Sequence, residues 1–132
     1  VKEPGEDLRS IIAGIMQPKG QINITVTPSI TKEELEYCNQ FDKNVKFTTL
    51  AEIMDKRIYQ GYKLYKTNYI AHDMLNNSNA HEEFYTKEDK EFFIGYMRQG
   101  LSKLPCANEE NMKELEDIFL KMYANPVENK SH

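Results

Sequence analysis

The sequence predicts an α+β fold that is mainly α-helical, with about six helices and one clear β-strand at 21–27. Three observations predict it. Apolar residues recur at helical spacing along most of the chain. Ser/Thr-x-x-Glu/Asp boxes open several of those stretches. Only one run, Gln21-Ile22-Asn23-Ile24-Thr25-Val26-Thr27, alternates apolar and polar residues with β-branched types dominating. With 132 residues the chain has the length of a single domain, 1–132. A domain of that size buries roughly 68% of the surface its unfolded chain exposes, enough for one modest core.

The elements follow in order. Lys2-Glu3-Pro4-Gly5 reads as a loop, and Glu6-Asp7 open a helix. Its stripe is Leu8, Ile11, Ile12, Ile15 and Met16, weakened by Gly14. Gln17-Pro18-Lys19-Gly20 is a turn before the strand, which Pro28 ends. Thr31-Lys32-Glu33-Glu34 is a capping box for a helix running to about Asn39. Residues 41–48 read as a loop, with a short extended piece at 45–47. Thr49-Leu50-Ala51-Glu52 is a second box, for a helix that breaks at Gly61. Thr67 or Asn68 caps a short helix carrying Tyr69, Ile70, Met74 and Leu75. Asn76-Asn77-Ser78-Asn79 is a polar loop. Thr86-Lys87-Glu88-Asp89 opens a longer helix with Phe92, Phe93, Tyr96, Met97 and Leu101, stopped by Pro105. Asn108 caps the last helix, with Met112, Leu115, Ile118, Phe119 and Met122 on its stripe. Pro126 follows that helix, and the tail 127–132 is expected to be frayed and flexible.

A lone strand has nowhere to send its ladder hydrogen bonds. Its partner is the 45–49 segment, another copy of the chain, or a sheet outside this chain. The last option makes the chain a piece of something larger. The first residue, Val1, fits either a natural terminus or a cut in a loop.

Composition narrows the function. Hydrophobic residues make up 39% and charged residues 29%, with 17 Lys plus Arg against 21 Asp plus Glu and a net charge of -4. That balance argues against nucleic acid as partner. No apolar run approaches the roughly 18 residues of a membrane span. Cys38 and Cys106 are too few for a disulfide scaffold and fit a reduced, cytoplasmic setting.

Candidate chemistry is sparse. His72, His81 and His132 lack the spacing of metal-ligand motifs, so no metal and no cofactor is expected. His72 and its neighbour Asp73 would meet distant groups such as Glu82 and Glu83 only if a loop folds back. Neither cysteine has a histidine motif beside it. The one constellation is Tyr59, Tyr62, Tyr65 and Tyr69 interleaved with Lys56, Arg57, Lys63 and Lys66. Within it, Lys56, Arg57, Tyr62, Lys63, Tyr65 and Lys66 are the candidates for gripping an anionic substrate or a membrane surface. Half-buried tyrosines with lysines in solvent would give the same pattern. There is no Gly-rich phosphate loop, no GxSxG and no HExxH, and no catalytic residue is assigned.

Several stretches together carry a resemblance. They are Gly5-Glu6-Asp7-Leu8-Arg9-Ser10-Ile11-Ile12-Ala13-Gly14-Ile15, Pro18-Lys19-Gly20-Gln21-Ile22-Asn23-Ile24 and Ile53-Met54-Asp55-Lys56-Arg57-Ile58. Gly61-Tyr62-Lys63-Leu64-Tyr65-Lys66-Thr67-Asn68-Tyr69-Ile70-Ala71 and Met122-Tyr123-Ala124-Asn125-Pro126-Val127 complete the set. In order and spacing the chain resembles the C-terminal part of the bacterial glycerolphosphate acyltransferase family. More narrowly, it is similar to the 1-acyl-glycerol-3-phosphate acyltransferase-like members of Bacteroides-type bacteria.

The resemblance implies a C-terminal portion of a longer, cytoplasmic enzyme, peripheral at the inner membrane. A His-x4-Asp base and a Pro-Glu-Gly motif would lie upstream, in a catalytic α/β domain of the same polypeptide. That domain would be this region's partner, and acyl thioester and lysophospholipid would be met only through the parent. Here five on from His72 is Asn77 and five on from His81 is Thr86, so no catalytic residue carries over and the chain alone is expected to be inactive. The strand 21–27 would extend the parent's sheet or, unpartnered, drive self-association. The alternative is a stand-alone, non-enzymatic helical interaction module.

Overall fold

The computed structural model describes residues 5–16, 20–106 and 108–131. These contain six α-helices: α1 (Glu6–Met16), α2 (Lys32–Cys38), α3 (Lys43–Gly61), α4 (Lys66–Leu75), α5 (Lys87–Leu101) and α6 (Met112–Lys130). A single 3-10 turn, Glu82–Phe84, lies between α4 and α5. No helix of the described residues is long and apolar enough to cross a membrane.

The core sits where α4, α5 and α6 meet. Ile70 and Ala71 come from α4, Phe93, Met97 and Leu101 from α5, and Leu120 and Ala124 from α6. Ala71 and Ala124 are completely buried, and their small side chains let α4 lie close along α6. Phe93 meets Tyr123 edge-on at 5.3 Å between ring centroids, and Phe119 stacks on Tyr123 at 5.0 Å. Each fully buried large side chain of this kind contributes about 1.5–3 kcal/mol. α3 also contacts α6, and α2 packs on α3.

Of the two named capping boxes only that of Thr31 forms, and Thr86, the predicted start of a helix, is capped in the same way. Thr31 N–H donates to Glu34 Oε2 at 2.8 Å, and Glu34 N–H donates back to Thr31 Oγ1 at 3.3 Å. Thr86 N–H donates to Asp89 Oδ2 at 2.9 Å, with the return bond at 3.2 Å. The break at Gly61 also stands, because α3 ends there.

The predicted strand at 21–27 does not form, and no strand occurs among the described residues, so the α+β assignment gives way to an all-helical fold. The cause is the lack of a partner within the described chain. Residues 45–49 are inside α3, so nothing in the described chain can accept a ladder. Residues 20–31 instead cross the end of α3 with their polar side inward. A Cβ added at Gly61 would stand 3.2 Å from the Thr25 methyl and 3.3 Å from the Thr27 methyl, so glycine permits the crossing. The apolar side faces out: Ile22, Ile24 and Val26 are 79%, 85% and 90% exposed.

Other boundaries differ for local reasons. The loop expected at 41–48 is mostly helix, because no Gly or Pro interrupts the chain from Lys43 to Gln60. Thr49 therefore lies inside α3, whose N-cap is Asp42. Asn108 does not cap the last helix. It exchanges hydrogen bonds with Asn111, which is the N-cap residue, at 2.9 and 3.0 Å. Pro126 lies within α6, and the helix continues to Lys130 through the expected frayed tail. Val127 is buried and Lys130 Nζ donates to the carbonyls of Gln60 and Tyr62, so tertiary contacts hold this last turn. The turns expected at 2–5 and 17–20 lie mainly outside the described residues, as does His132.

Candidate functional site

The Tyr/Lys constellation is spread over four places. Lys56 is exposed and lines a shallow groove with Glu52, Asp55, Tyr59 and Lys130. Arg57 is turned inward, donating to Ser29 O at 2.8 Å and Pro28 O at 3.2 Å and pairing with Glu34. The Thr31 backbone N–H, assisted by Arg57, holds the Glu34 carboxyl below the usual range. Tyr62 donates its hydroxyl to the Pro126 carbonyl, beneath the Lys130 ammonium 5.2 Å from its ring. Burial, with Tyr59 nearby, raises the Tyr62 pKa. Lys63 lies over the Tyr65 ring at 5.6 Å. Tyr65 caps α4 through its N–H to Asn68 Oδ1 at 2.8 Å. Lys66 pairs with Asp89 at 2.8 Å. Tyr62, Lys63 and Tyr65 border a small cleft, with Asn23, Thr25 and Thr27 opposite.

The denser chemistry lies at the other end of α4. His72 and Asp73 occupy its last turn, and Asn77 then turns the chain back with φ of 49°. Ser78 N–H closes the helix end onto Asp73 O at 2.9 Å. The returning loop brings His81 against Asp73. The Asp73 carboxylate, 1% exposed, accepts four hydrogen bonds. Ser78 Oγ at 3.0 Å and the His81 Nδ1 at 2.9 Å reach Oδ1. His81 N–H at 3.0 Å and Tyr85 Oη at 2.8 Å reach Oδ2. Burial alone would raise the Asp73 pKa, but the bonds from His81, Tyr85 and Ser78 outweigh it and hold it at about 2. Burial, together with the Asp73 charge, pushes Tyr85 up to about 12.

Aromatic rings wall this cluster. The His81 ring stacks on Tyr69 at 5.3 Å and meets His72 edge-on at 4.8 Å. His72 Nε2 lies 3.7 Å from Glu128 of α6. Its Nδ1 is buried 3.9 Å from Asp73 Oδ1 and has no hydrogen-bond partner among the described residues. His72, Asp73 and His81 thereby place three ligand-type atoms within 4.8 Å of one another.

Sequence spacing missed this grouping because the end of α4 and the loop 76–80 separate the histidines. The available signal was the Asn76-Asn77-Ser78-Asn79 turn, which is what folds the loop back. Cys38 is buried in α2 and Cys106 is exposed, both as free thiols. No protein-family model, no curated protein and no solved structure matches the chain.

Proposed function

We propose that this chain is the C-terminal helical region of a phospholipid-biosynthesis acyltransferase. The parent would move an acyl group from an acyl thioester to a lysophosphatidate-like glycerol phosphate at the cytoplasmic face of the inner membrane. This region would carry no catalytic base and would be inactive alone. Its role is to cover the upstream catalytic domain of the same polypeptide.

One observation carries the reading. α1 and residues 20–31, together called the arm, leave their large apolar residues exposed. Leu8, Ile11, Ile12, Ile15 and Met16 of α1 are exposed together with Ile22, Ile24 and Val26, and α1 touches no other helix of the described chain. Apolar surface of that extent marks a contact with another body. Two of the stretches that resemble the acyltransferase family make up this arm.

The remaining stretches supply residues that fasten the helices together. Tyr62 is bonded to Pro126, and Asn68 Nδ2 donates to Tyr123 O at 2.8 Å. Within this reading, exposed Lys56 and Lys63 are the basic residues left for a lipid headgroup, since Arg57 and Lys66 already hold carboxylates.

Reading the coding DNA upstream of Val1, then expressing the whole frame, tests it. The expected result is an open frame containing His-x4-Asp whose product acylates lysophosphatidate from an acyl thioester. A start codon directly before Val1, or a full frame without transfer, overturns it. The helical interaction module would then own the exposed arm.

A further inference from the structure

We propose that His72, Asp73 and His81 form a binding site for one divalent cation of the zinc class. The inference is independent of the acyltransferase reading.

It begins with an electrostatic conflict. In the tautomer that carries its proton on Nε2, the nitrogen 3.7 Å from Glu128, His72 presents a lone pair at Nδ1. That nitrogen is buried, unpartnered among the described residues, and 3.9 Å from Asp73 Oδ1. A lone pair and a carboxylate oxygen repel, and 3.9 Å is too long for a hydrogen bond even if Nδ1 were protonated. A cation between them removes the conflict.

The donor set fits that cation. Two imidazoles and one carboxylate suit zinc and its neighbours better than calcium or magnesium, which take oxygen ligands. Zinc holds N and O donors at about 2.0–2.2 Å, so two donors of a tetrahedral site lie about 3.4 Å apart, and the widest pair here, within 4.8 Å, must close by roughly 1.4 Å. Rotation of the His72 ring, 19% exposed, supplies that movement. The His81 proton moves from Nδ1 to Nε2, so its Nδ1 lone pair faces the ion and no atom is lost.

The surrounding shell is already built. On metal binding Asp73 keeps Ser78 Oγ, His81 N–H and Tyr85 Oη as donors. Such outer bonds fix the orientation of ligating groups. Three protein donors leave a fourth position for water. The partly exposed edges of both histidines provide the way in.

The test is titration of chelator-treated protein with Zn2+ and with Co2+. One equivalent of Zn2+ should bind saturably and raise Tm, and Co2+ should give the visible absorption of a four- or five-coordinate ion. His72→Ala should weaken binding by about tenfold or more, and loss of the ring contact with His81 should lower metal-free Tm only modestly. His81→Ala should also lose the site, and His132→Ala should bind as the parent does. Absence of one-to-one binding, unchanged affinity in His72→Ala, or loss of binding in His132→Ala each overturns the proposal.

Discussion

Tyr85 Oη sits 2.8 Å from Asp73 Oδ2, so the residue that leads into α5 is fastened to the last turn of α4 through a buried carboxylate. Tyr85 is itself part of the apolar core. The bond therefore joins the polar cluster to the packing that holds the bundle.

Tyr85→Phe keeps the ring and removes only the hydroxyl. Asp73 then loses one of its four donors while remaining buried. The expected cost is about 1–3 kcal/mol, because an ionised acceptor is left short of a partner. Urea unfolding of metal-free protein measures it. A cost below about 0.3 kcal/mol would show that water replaces the hydroxyl.

The same carboxylate gives an acid limb to stability. Its folded pKa is about 2 against an ordinary 3.8. A depressed carboxyl pKa stabilises the fold fully above the unfolded value and loses that contribution as pH falls through the folded one. The window is therefore pH 3.8 down to 2, with about 2 kcal/mol at stake. Chelated wild type should lose stability across that window, and Asp73→Asn, already less stable, should show a shallower slope there.

How much of this was legible follows residue by residue. Thr31 with Glu34 and Thr86 with Asp89 could be read because a capping box is local in sequence and local in space. In α5 the 3.6-residue period found the buried Phe93, Met97 and Leu101, along with the exposed Phe92 and Tyr96; in α6 it pointed to Ile118 and Met122, which are exposed, and missed Leu120, Ala124 and Val127, which are buried. The alternation at 21–27 has a strand's pattern, but a strand also needs a ladder, and that requirement is not local. Pro126 was misleading because tertiary contacts carry the helix past it: Val127 is buried, and Tyr62 donates to the Pro126 carbonyl from 64 residues away. The His72–Asp73–His81 cluster depends on one left-handed residue, Asn77, and no spacing rule records where a loop returns.

The exposed arm should contribute little to folding of the chain by itself. Ile24→Ser, at a side chain 85% exposed, should change unfolding free energy by less than about 0.5 kcal/mol. Phe93→Ala, at 1% exposed, should cost about 3–5 kcal/mol. Denaturant unfolding of the two variants side by side checks the contrast. A cost above 1 kcal/mol for Ile24→Ser would mean that the arm packs on its own bundle, and the argument for an external partner would fail.

Arg57 separates a structural role from a surface one. Its guanidinium bridges Pro28 O, Ser29 O and Glu34, so it joins α3 to the arm and to the first turn of α2. A planar fork can hold several oxygens at once, and a single ammonium cannot. Arg57→Lys keeps the charge and loses that geometry. It should destabilise the fold by about 1–2 kcal/mol and increase protease cutting between residues 20 and 31, while Lys56→Ala leaves both unchanged. Limited proteolysis with mass spectrometry reads the arm, and thermal unfolding reads the bundle. If Arg57→Lys behaves like the parent, charge alone matters at this position, and Arg57 belongs with Lys56 and Lys63 as a candidate contact for an anionic surface.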